Sequence, residues 1–220
     1  MVKCAKCNIE NDDAALFCMN CGVALPCCPR CGTKAPACAK FCSQCGWPLP
    51  QFDLYQNSDG CAYKTVVIGS RIWFAENLKR KKGAFGAEED SPCTFEEARR
   101  NTPAGWRLPR LEDVRQLELF ICSRGIAQGD IGMTLKSRCG WIGVNGNGSD
   151  LFGFNGRPMG TSDDEKSIRN DVGRIGAWWI DTGDGKYVMC LQNETKALLK
   201  TYYDGGTASV RYVKNFEGAV

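Results

Sequence analysis

The sequence predicts an α+β protein in two parts, a cysteine-rich N-terminal segment and a larger body of strands and helices. Composition separates the parts near residue 50, because ten of the 15 cysteines precede that point and five of the six tryptophans follow it. In the larger part, the pattern predicts two strands, two helices, a long glycine-rich stretch and four late strands. Strands and helices in separate runs along the chain are typical of α+β folds.

The N-terminal cysteines form two sets with the same internal spacing. Each set has two C-x2-C pairs separated by ten residues, and the second set lies 24 residues after the first. Such a pair presents two thiolates on one tight turn, and two turns complete a tetrahedral sulfur shell for Zn2+. The residue after each pair is Asn8, Gly22, Gly32 or Gly46, and these residue types tolerate the left-handed conformation that such turns need. We therefore predict two structural Zn2+ ions, bound by Cys4, Cys7, Cys18, Cys21, Cys28, Cys31, Cys42 and Cys45.

Disulfides and iron–sulfur ligation are the alternatives for these cysteines. An odd total of 15 opposes a complete disulfide framework, and the members of one pair are poor disulfide partners on a tight turn. Iron–sulfur sites usually have less regular spacings. Cys27 competes with its neighbour Cys28 as a ligand, and the register of the repeat favours Cys28. About 45 residues with few large apolar side chains also need metal-binding energy to fold.

The phrases CAKC…FCMNCGVAL and CPRCG…FCSQCGWPL resemble the double zinc ribbon family, which occurs at the ends of many prokaryotic proteins. The resemblance implies that residues 1–49 are an interaction or adaptor module. We place a linker at 50–58, because two prolines and then polar residues mark the end of this segment.

Composition argues against several classes of function. The formal net charge is +3, and eight thiolates around two Zn2+ would change it to −1, so no nucleic-acid-binding surface is indicated. No apolar run approaches the ~18 residues of a membrane span. The sequence contains no histidine, and no apolar signal segment follows the polar Met1–Lys6. We expect a cytoplasmic protein that binds neither nucleic acid nor membrane, and self-association into a homo-oligomer is left open.

The first predicted elements of the larger part are a hairpin and two helices. Strands Tyr63–Ile68 and Arg71–Ala75 flank a two-residue Gly-Ser turn. Thr94 and Glu97 form a capping box, which begins a short helix that ends near residue 100. A second helix is predicted over Leu111–Cys122, where apolar residues recur at helical spacing. These are Leu111, Val114, Leu117 and Ile121.

The later part is predicted to contain a long loop region and four strands. The glycine-rich stretch Gly140–Gly160 is expected to be held by three aromatic residues, Trp141, Phe152 and Phe154. Turn residues separate the late strands, which read Ala177–Ile180, Lys186–Leu191, Ala197–Tyr203 and Ala208–Val213.

Several phrases in this part resemble the Fibrobacter succinogenes major paralogous domain. They include DGCAYKTVVIGSRIWFAENLK (59–79), AGWRLPRLEDVRQL (104–117), LFGFNGRPMG (151–160) and SVRYVKNF (209–216). The family is similar to C-type-lectin-like and formylglycine-generating-enzyme folds. The resemblance implies a C-type-lectin-like domain at 59–216, with paired first and last strands and a variable loop-and-strand face. It implies no known activity, and the motifs of calcium-dependent lectins do not occur.

The candidate binding face lies on or beside the late strands. Because side chains alternate along a strand, we expect one residue of Trp178/Trp179 and one of Tyr202/Tyr203 to be exposed. The alternative is that the second aromatic packs under a loop. Exposed Tyr and Trp beside Ser, Asp and Arg form adaptable binding surfaces. We assign the face to Trp178, Trp179, Asp181, Thr182, Tyr187, Tyr202, Tyr203, Asp204, Ser209 and Arg211.

These features favour a non-catalytic protein that binds a ligand or a protein through this face and docks to a partner through its ribbons. In lectin-like proteins diversified by retroelements, the same region varies, and SVRYV resembles the constant ending that follows it. That resemblance implies a bacterial variable protein. One alternative is an assembly adaptor without a small ligand. Another is an enzyme of the formylglycine-generating type, but such an enzyme needs a paired-cysteine copper site, whereas Cys61, Cys93, Cys122, Cys139 and Cys190 are scattered.

Overall fold

The chain divides into two compact units, Met1–Gln51 and Phe52–Val220. The computed structural model describes residues 2–3, 7, 9–12, 18–20, 25, 27–36, 39–58, 60–82, 87–162, 171–183, 187–204 and 206–217. Over these residues the fold is mixed α/β, with antiparallel sheets and few helices. No helix in this part of the chain is long and apolar enough to cross a membrane.

Short backbone pairings organise the first unit. Strands β1 (Val2–Lys3) and β2 (Glu10–Asn11) are antiparallel. Two isolated antiparallel bridges follow, Cys27 with Lys34 and Phe41 with Pro48. Each bridge begins one residue before a C-x2-C pair and ends at the same offset after it, so the sequence repeat is also a structural repeat.

Antiparallel pairing joins the strands of the second unit into two sheets and a hairpin. The strands are β3 (Phe52–Gln56), β4 (Ala62–Ile68), β5 (Arg71–Phe74), β6 (Lys79–Lys82), β7 (Ala87–Asp90), β8 (Ile175–Ile180), β9 (Tyr187–Gln192), β10 (Leu199–Tyr202) and β11 (Val213–Asn215). One sheet has the order β11-β5-β4-β3, the other has the order β10-β9-β8, and β6 pairs with β7.

Strand β3 corrects the linker that the sequence analysis placed at 50–58. Residues 52–56 pair with β4 over their whole length. Tyr55 faces the core, where its ring centroid lies 5.6 Å from that of Phe74 and 5.4 Å from that of Trp106. The partners of Tyr55 are distant in sequence, so polar neighbours concealed a strand that packing stabilises.

The end of the chain also differs from expectation. The resemblance implied that the first and last strands pair, but β11 pairs with β5, and β3 lies at the opposite edge of the sheet. The predicted strand Ala208–Val213 is mostly bridges instead. Ala208 bridges to Cys93, and Ser209 bridges to Trp178 on β8, so this segment crosses between the two sheets.

Three short helices complete the second unit. They are α1 (Phe95–Arg100), α2 (Leu111–Ser123) and α3 (Ile131–Leu135), and a 3-10 turn at Gln128–Asp130 precedes α3. The predicted capping box at α1 is confirmed, because Glu97 N–H donates to Thr94 Oγ1 and Thr94 N–H donates to Glu97 Oε2. On α2, Val114, Leu117 and Ile121 are buried as predicted, but Leu111 is 44% exposed because it lines an open groove.

Asp113 fixes the start of α2. Its buried carboxylate accepts hydrogen bonds from Arg71 Nε at 2.6 Å, from Arg107 Nη2 at 2.8 Å and from the Arg110 backbone N–H at 2.8 Å. Burial raises the pKa of this carboxyl, but the hydrogen bonds, first among them those from Arg107, lower the pKa to about 2. The charged form of Asp113 therefore connects α2 to β5 and to the preceding loop.

Candidate metal centre and binding face

Cys28 and Cys42 begin two turns that have the same backbone hydrogen bonds. The Cys28 carbonyl accepts from Gly32 N–H at 2.9 Å, and the Cys42 carbonyl accepts from Gly46 N–H at 2.9 Å. Gly32 and Gly46 have φ values of 75° and 68°, in the left-handed region that glycine adopts without strain. The predicted role of these two glycines is confirmed.

The second set of cysteines forms a four-sulfur cluster. Its members, Cys28, Cys31, Cys42 and Cys45, place their Sγ atoms within 4.8 Å of one another. The Cys28–Cys45 and Cys31–Cys42 Sγ distances are 3.7 and 3.6 Å. Thiolates about 2.3 Å from a tetrahedral Zn2+ lie about 3.8 Å apart, so these residues fit a zinc ion.

Local hydrogen bonds favour the thiolate form that a metal ligand needs. The hydroxyl of Thr33 lies 3.3 Å from Cys31 Sγ, and this contact, together with the Thr33 backbone, lowers the pKa of the Cys31 thiol to about 6. Cys28 contributes to the cluster, whereas the backbone of Cys27 bridges to Lys34. The register of the repeat thus identified the right member of this adjacent pair.

The first set is described only in part. The Sγ atoms of Cys7 and Cys18 lie 3.4 Å apart. Cys4 and Cys21 lie outside the described residues, so their ligation stays a prediction. The Cys7–Cys18 pair corresponds to Cys31–Cys42 in the repeat, and its sulfur separation is similar to the 3.6 Å of that pair.

The family comparison agrees with this repeated geometry. Residues 4–46 match the family described as double zinc ribbon. This segment is a double zinc ribbon. No curated protein and no solved structure matches the chain significantly. The double zinc ribbon accounts for about a fifth of the chain, and its second half holds the four-sulfur cluster.

Four residues of the assigned binding face lie in the core, which corrects the prediction for them. They are Trp178, Trp179, Ser209 and Arg211. Strand alternation does send the two tryptophans to opposite faces of β8, but both faces are covered. Trp178 packs against Phe154 at 5.6 Å between ring centroids, and Trp179 packs against Phe95 at 5.7 Å. A sheet buried on both faces leaves neither tryptophan exposed.

Arg211 and Asn77 form a buried polar centre that the sequence analysis did not identify. Arg211 donates to Asn77 Oδ1 at 2.7 Å and to the carbonyls of Phe74, Phe154 and Asn155 at 2.6 to 2.9 Å. Trp178 Nε1 donates to the same Asn77 oxygen at 2.8 Å. Since these groups satisfy the buried guanidinium, Arg211 is a structural residue. Asn77 has no local sequence signal, because its partners are more than 100 residues away along the chain.

Six assigned residues remain at or near the surface. Tyr202 and Asp204 are exposed, and Asp181, Thr182, Tyr187 and Tyr203 are partly exposed. Because β8 and β10 both run antiparallel to β9, the ends of β8 and β10 and the start of β9 lie at one end of the sheet. All six residues therefore belong to that end. We call it the tyrosine surface.

The two tyrosines of the predicted pair have different environments. Tyr203 is half-buried, with its ring 5.5 Å from that of Trp179 and its hydroxyl donating to the Ser162 carbonyl at 2.8 Å. Tyr202 is 53% exposed, and its ring makes an edge contact with Tyr187 at 5.9 Å. The expectation of one packed and one exposed tyrosine is confirmed.

Proposed function

We propose that the second unit is a non-catalytic binding module of C-type-lectin-like fold, which holds a ligand or protein at the tyrosine surface. The observation that carries this proposal is the exposed Tyr202, which lies on an edge strand in contact with Tyr187. Tyrosines offer large contact area and lose little side-chain entropy on binding. The buried Trp179 beneath Tyr203 supports the surface from within.

We further propose that the double zinc ribbon binds two Zn2+ ions and docks the binding module to a partner in the cytoplasm. The four-sulfur cluster supports one ion directly. The equal spacing of the two cysteine sets and the close Cys7–Cys18 sulfurs support the second. Each ion would hold two turns together, so that the short segment keeps a fixed shape.

Site-specific photocrosslinking tests the binding proposal. A photoreactive phenylalanine derivative at position 202 should crosslink a partner in cells that express the chain. The matched control carries the same group at position 52, because Phe52 and Tyr202 are 52% and 53% exposed on edge strands. Specific products from position 202 that Tyr187→Ala weakens would support the proposal. Equal products from both positions, or none from position 202, would contradict it.

We also infer that the chain is a bacterial variable protein diversified by a retroelement, on the strength of its resemblance to such lectin-like proteins. Variation should then concentrate at exposed positions such as Tyr202 and Asp204. The buried Trp178, Ser209 and Arg211 should stay constant, because the core depends on them. Sequencing the locus tests this inference, and a locus without a reverse transcriptase and a template repeat would rule it out.

A further inference from the structure

An open groove of about 420 Å³ lies between α2, the 3-10 turn and β10. One side is a single face of α2, where the lining residues are spaced at helical intervals. They are Leu111, Arg115, Glu118, Leu119 and Cys122. Gln128 and Lys200 line the groove from the turn and from β10. We call this feature the α2 groove.

The apolar part of the α2 groove is open to solvent. Leu111 and Leu119 are 44% and 54% exposed, and Cys122 beside them is partly exposed. Leu119 lies off the buried stripe of α2, which contains Val114, Leu117 and Ile121. Apolar side chains on the outer face of a helix, gathered along one groove, are typical of a binding surface.

The charges in the groove leave one cation uncommitted. Lys200 Nζ lies 2.6 Å from each carboxylate oxygen of Glu118, so these two charges compensate each other. No hydrogen bond or ion pair among the described residues involves the guanidinium of Arg115, which is exposed. A guanidinium beside apolar side chains is suited to a carboxylate.

The length of the groove selects an extended occupant. Leu111 and Cys122 are eleven positions apart on α2, which corresponds to about 16 Å along the helix axis. An extended chain rises about 3.3 Å per residue, so about five residues span that length. Lys200 belongs to β10, an edge strand of its sheet, and edge strands offer backbone groups to extended chains.

We propose that the α2 groove binds an extended peptide segment of about five residues that carries apolar side chains and at least one carboxylate. Arg115 binds the carboxylate, and Leu111, Leu119 and Cys122 contact the apolar side chains. Side chains alternate along β10, so Lys200 and Tyr202 lie on the same face, and the groove continues the tyrosine surface. This inference rests on the proposed binding function and names the chemical class of its ligand.

Selection from a displayed library of random peptides tests the proposal on the full-length, zinc-loaded chain. The unmodified chain should enrich sequences that combine Asp or Glu with apolar residues. Arg115→Glu should shift the enrichment toward Lys and Arg, because it reverses the one uncommitted charge. An absence of enrichment, or the same sequences from both chains, would overturn the proposal.

Affinities of one selected acidic peptide give the second readout, by fluorescence anisotropy. Arg115→Gln should weaken binding about tenfold, as expected for one charge-assisted hydrogen bond. Leu119→Ser should weaken it about fivefold through lost apolar contact. Arg100→Gln, an exposed arginine on α1, is the matched control and should leave the affinity unchanged.

Two further outcomes separate this inference from the proposed function. If Tyr202→Ala abolishes peptide binding and Arg115→Gln does not change it, the ligand lies on the tyrosine surface and the groove proposal is wrong. If Leu119→Ser instead dissociates a dimer in sedimentation measurements, a second copy of the chain occupies the groove, which also overturns it. Failure of the position-202 crosslink together with groove-dependent peptide binding would contradict only the tyrosine surface.

Discussion

At the scale of single residues, adjacent or similar side chains have very different roles in this protein. Cys27 and Cys28 are neighbours, yet among the described residues Cys28 is the one that belongs to the four-sulfur cluster. Tyr202 and Tyr203 are also neighbours, and one is exposed while the other supports it from below. Backbone geometry decides these differences, because consecutive side chains on extended backbone point in opposite directions.

The cysteine pair allows a matched test of zinc binding. The unmodified chain should hold two Zn2+ ions, and Cys28→Ser should reduce the count to one, because a serine hydroxyl replaces one of four thiolates. Cys27→Ser should keep the count at two. Native mass spectrometry measures the number of ions per chain. Loss of zinc in the Cys27 variant, with retention in the Cys28 variant, would show that the ligand assignment is reversed.

The Asp113 carboxylate should make stability depend on acid pH. Its pKa in the folded chain is about 2, below the value of 3.8 for an unperturbed aspartate, so the charged form stabilises the fold above pH 4. That contribution, about 2 kcal/mol, should be lost as the pH falls from about 4 to about 2. Urea unfolding of Asp113→Asn should show lower stability at neutral pH and a flatter dependence in this range.

Asp130→Asn provides the control for that measurement. Asp130 is exposed and makes no side-chain capping bond at the start of α3. Its replacement should leave both the stability and its acid dependence nearly unchanged. An acid dependence that persists in Asp113→Asn would assign the effect to other carboxylates.

At the scale of elements, close backbone approach positions α3. A Cβ atom on Gly132 would lie 2.3 Å from the Ala197 carbonyl oxygen, whereas a Cβ on Gly129 would meet nothing within 4 Å. Met133 N–H donates to the Lys196 carbonyl at 3.1 Å, which ties the helix to the segment before β10. Glycine at 132 therefore allows α3 to approach that segment.

Substitution of these two glycines should have opposite consequences. Gly132→Ala should destabilise the second unit by about 1 to 3 kcal/mol, because backbone atoms have to move to admit the methyl group. Gly129→Ala should be neutral or slightly stabilising, since it reduces the entropy of the unfolded chain. Thermal unfolding of the two variants measures the difference. Equal melting temperatures would show that the 196–197 segment moves without cost.

At the scale of the whole molecule, the two units depend on different sources of stability. The large apolar side chains buried in the described part of the first unit are Leu25 and Trp47, a small core for a segment of 51 residues. The second unit has an aromatic core in which Phe74 contacts Tyr63, Trp106 and Tyr212 with ring centroids 4.6 to 5.5 Å apart. Zinc binding should therefore be a condition for folding in the first unit alone.

Removal of zinc with a strong chelator tests this division. Backbone amides of the first unit, such as those of Cys28 and Cys42, should lose protection in hydrogen exchange. Amides in β8 and β9 should keep their protection, because their stability comes from the aromatic core. Readdition of zinc should restore the first unit. Loss of protection in β8 and β9 would show that the second unit also depends on the metal.

The sequence by itself determined the features that depend on spacing over a few residues. Two identical cysteine repeats followed by glycine or asparagine predicted the ribbon and its cluster, and Thr94 with Glu97 predicted the start of α1, because each signal lies within one or two turns of chain. Only the tertiary structure decided the burial of Trp178 and Trp179, the core position of Arg211, and strand β3 in the predicted linker. In these cases the second covering layer, Asn77, or Trp106 comes from distant parts of the chain, and no local pattern records which faces of a strand other elements will cover.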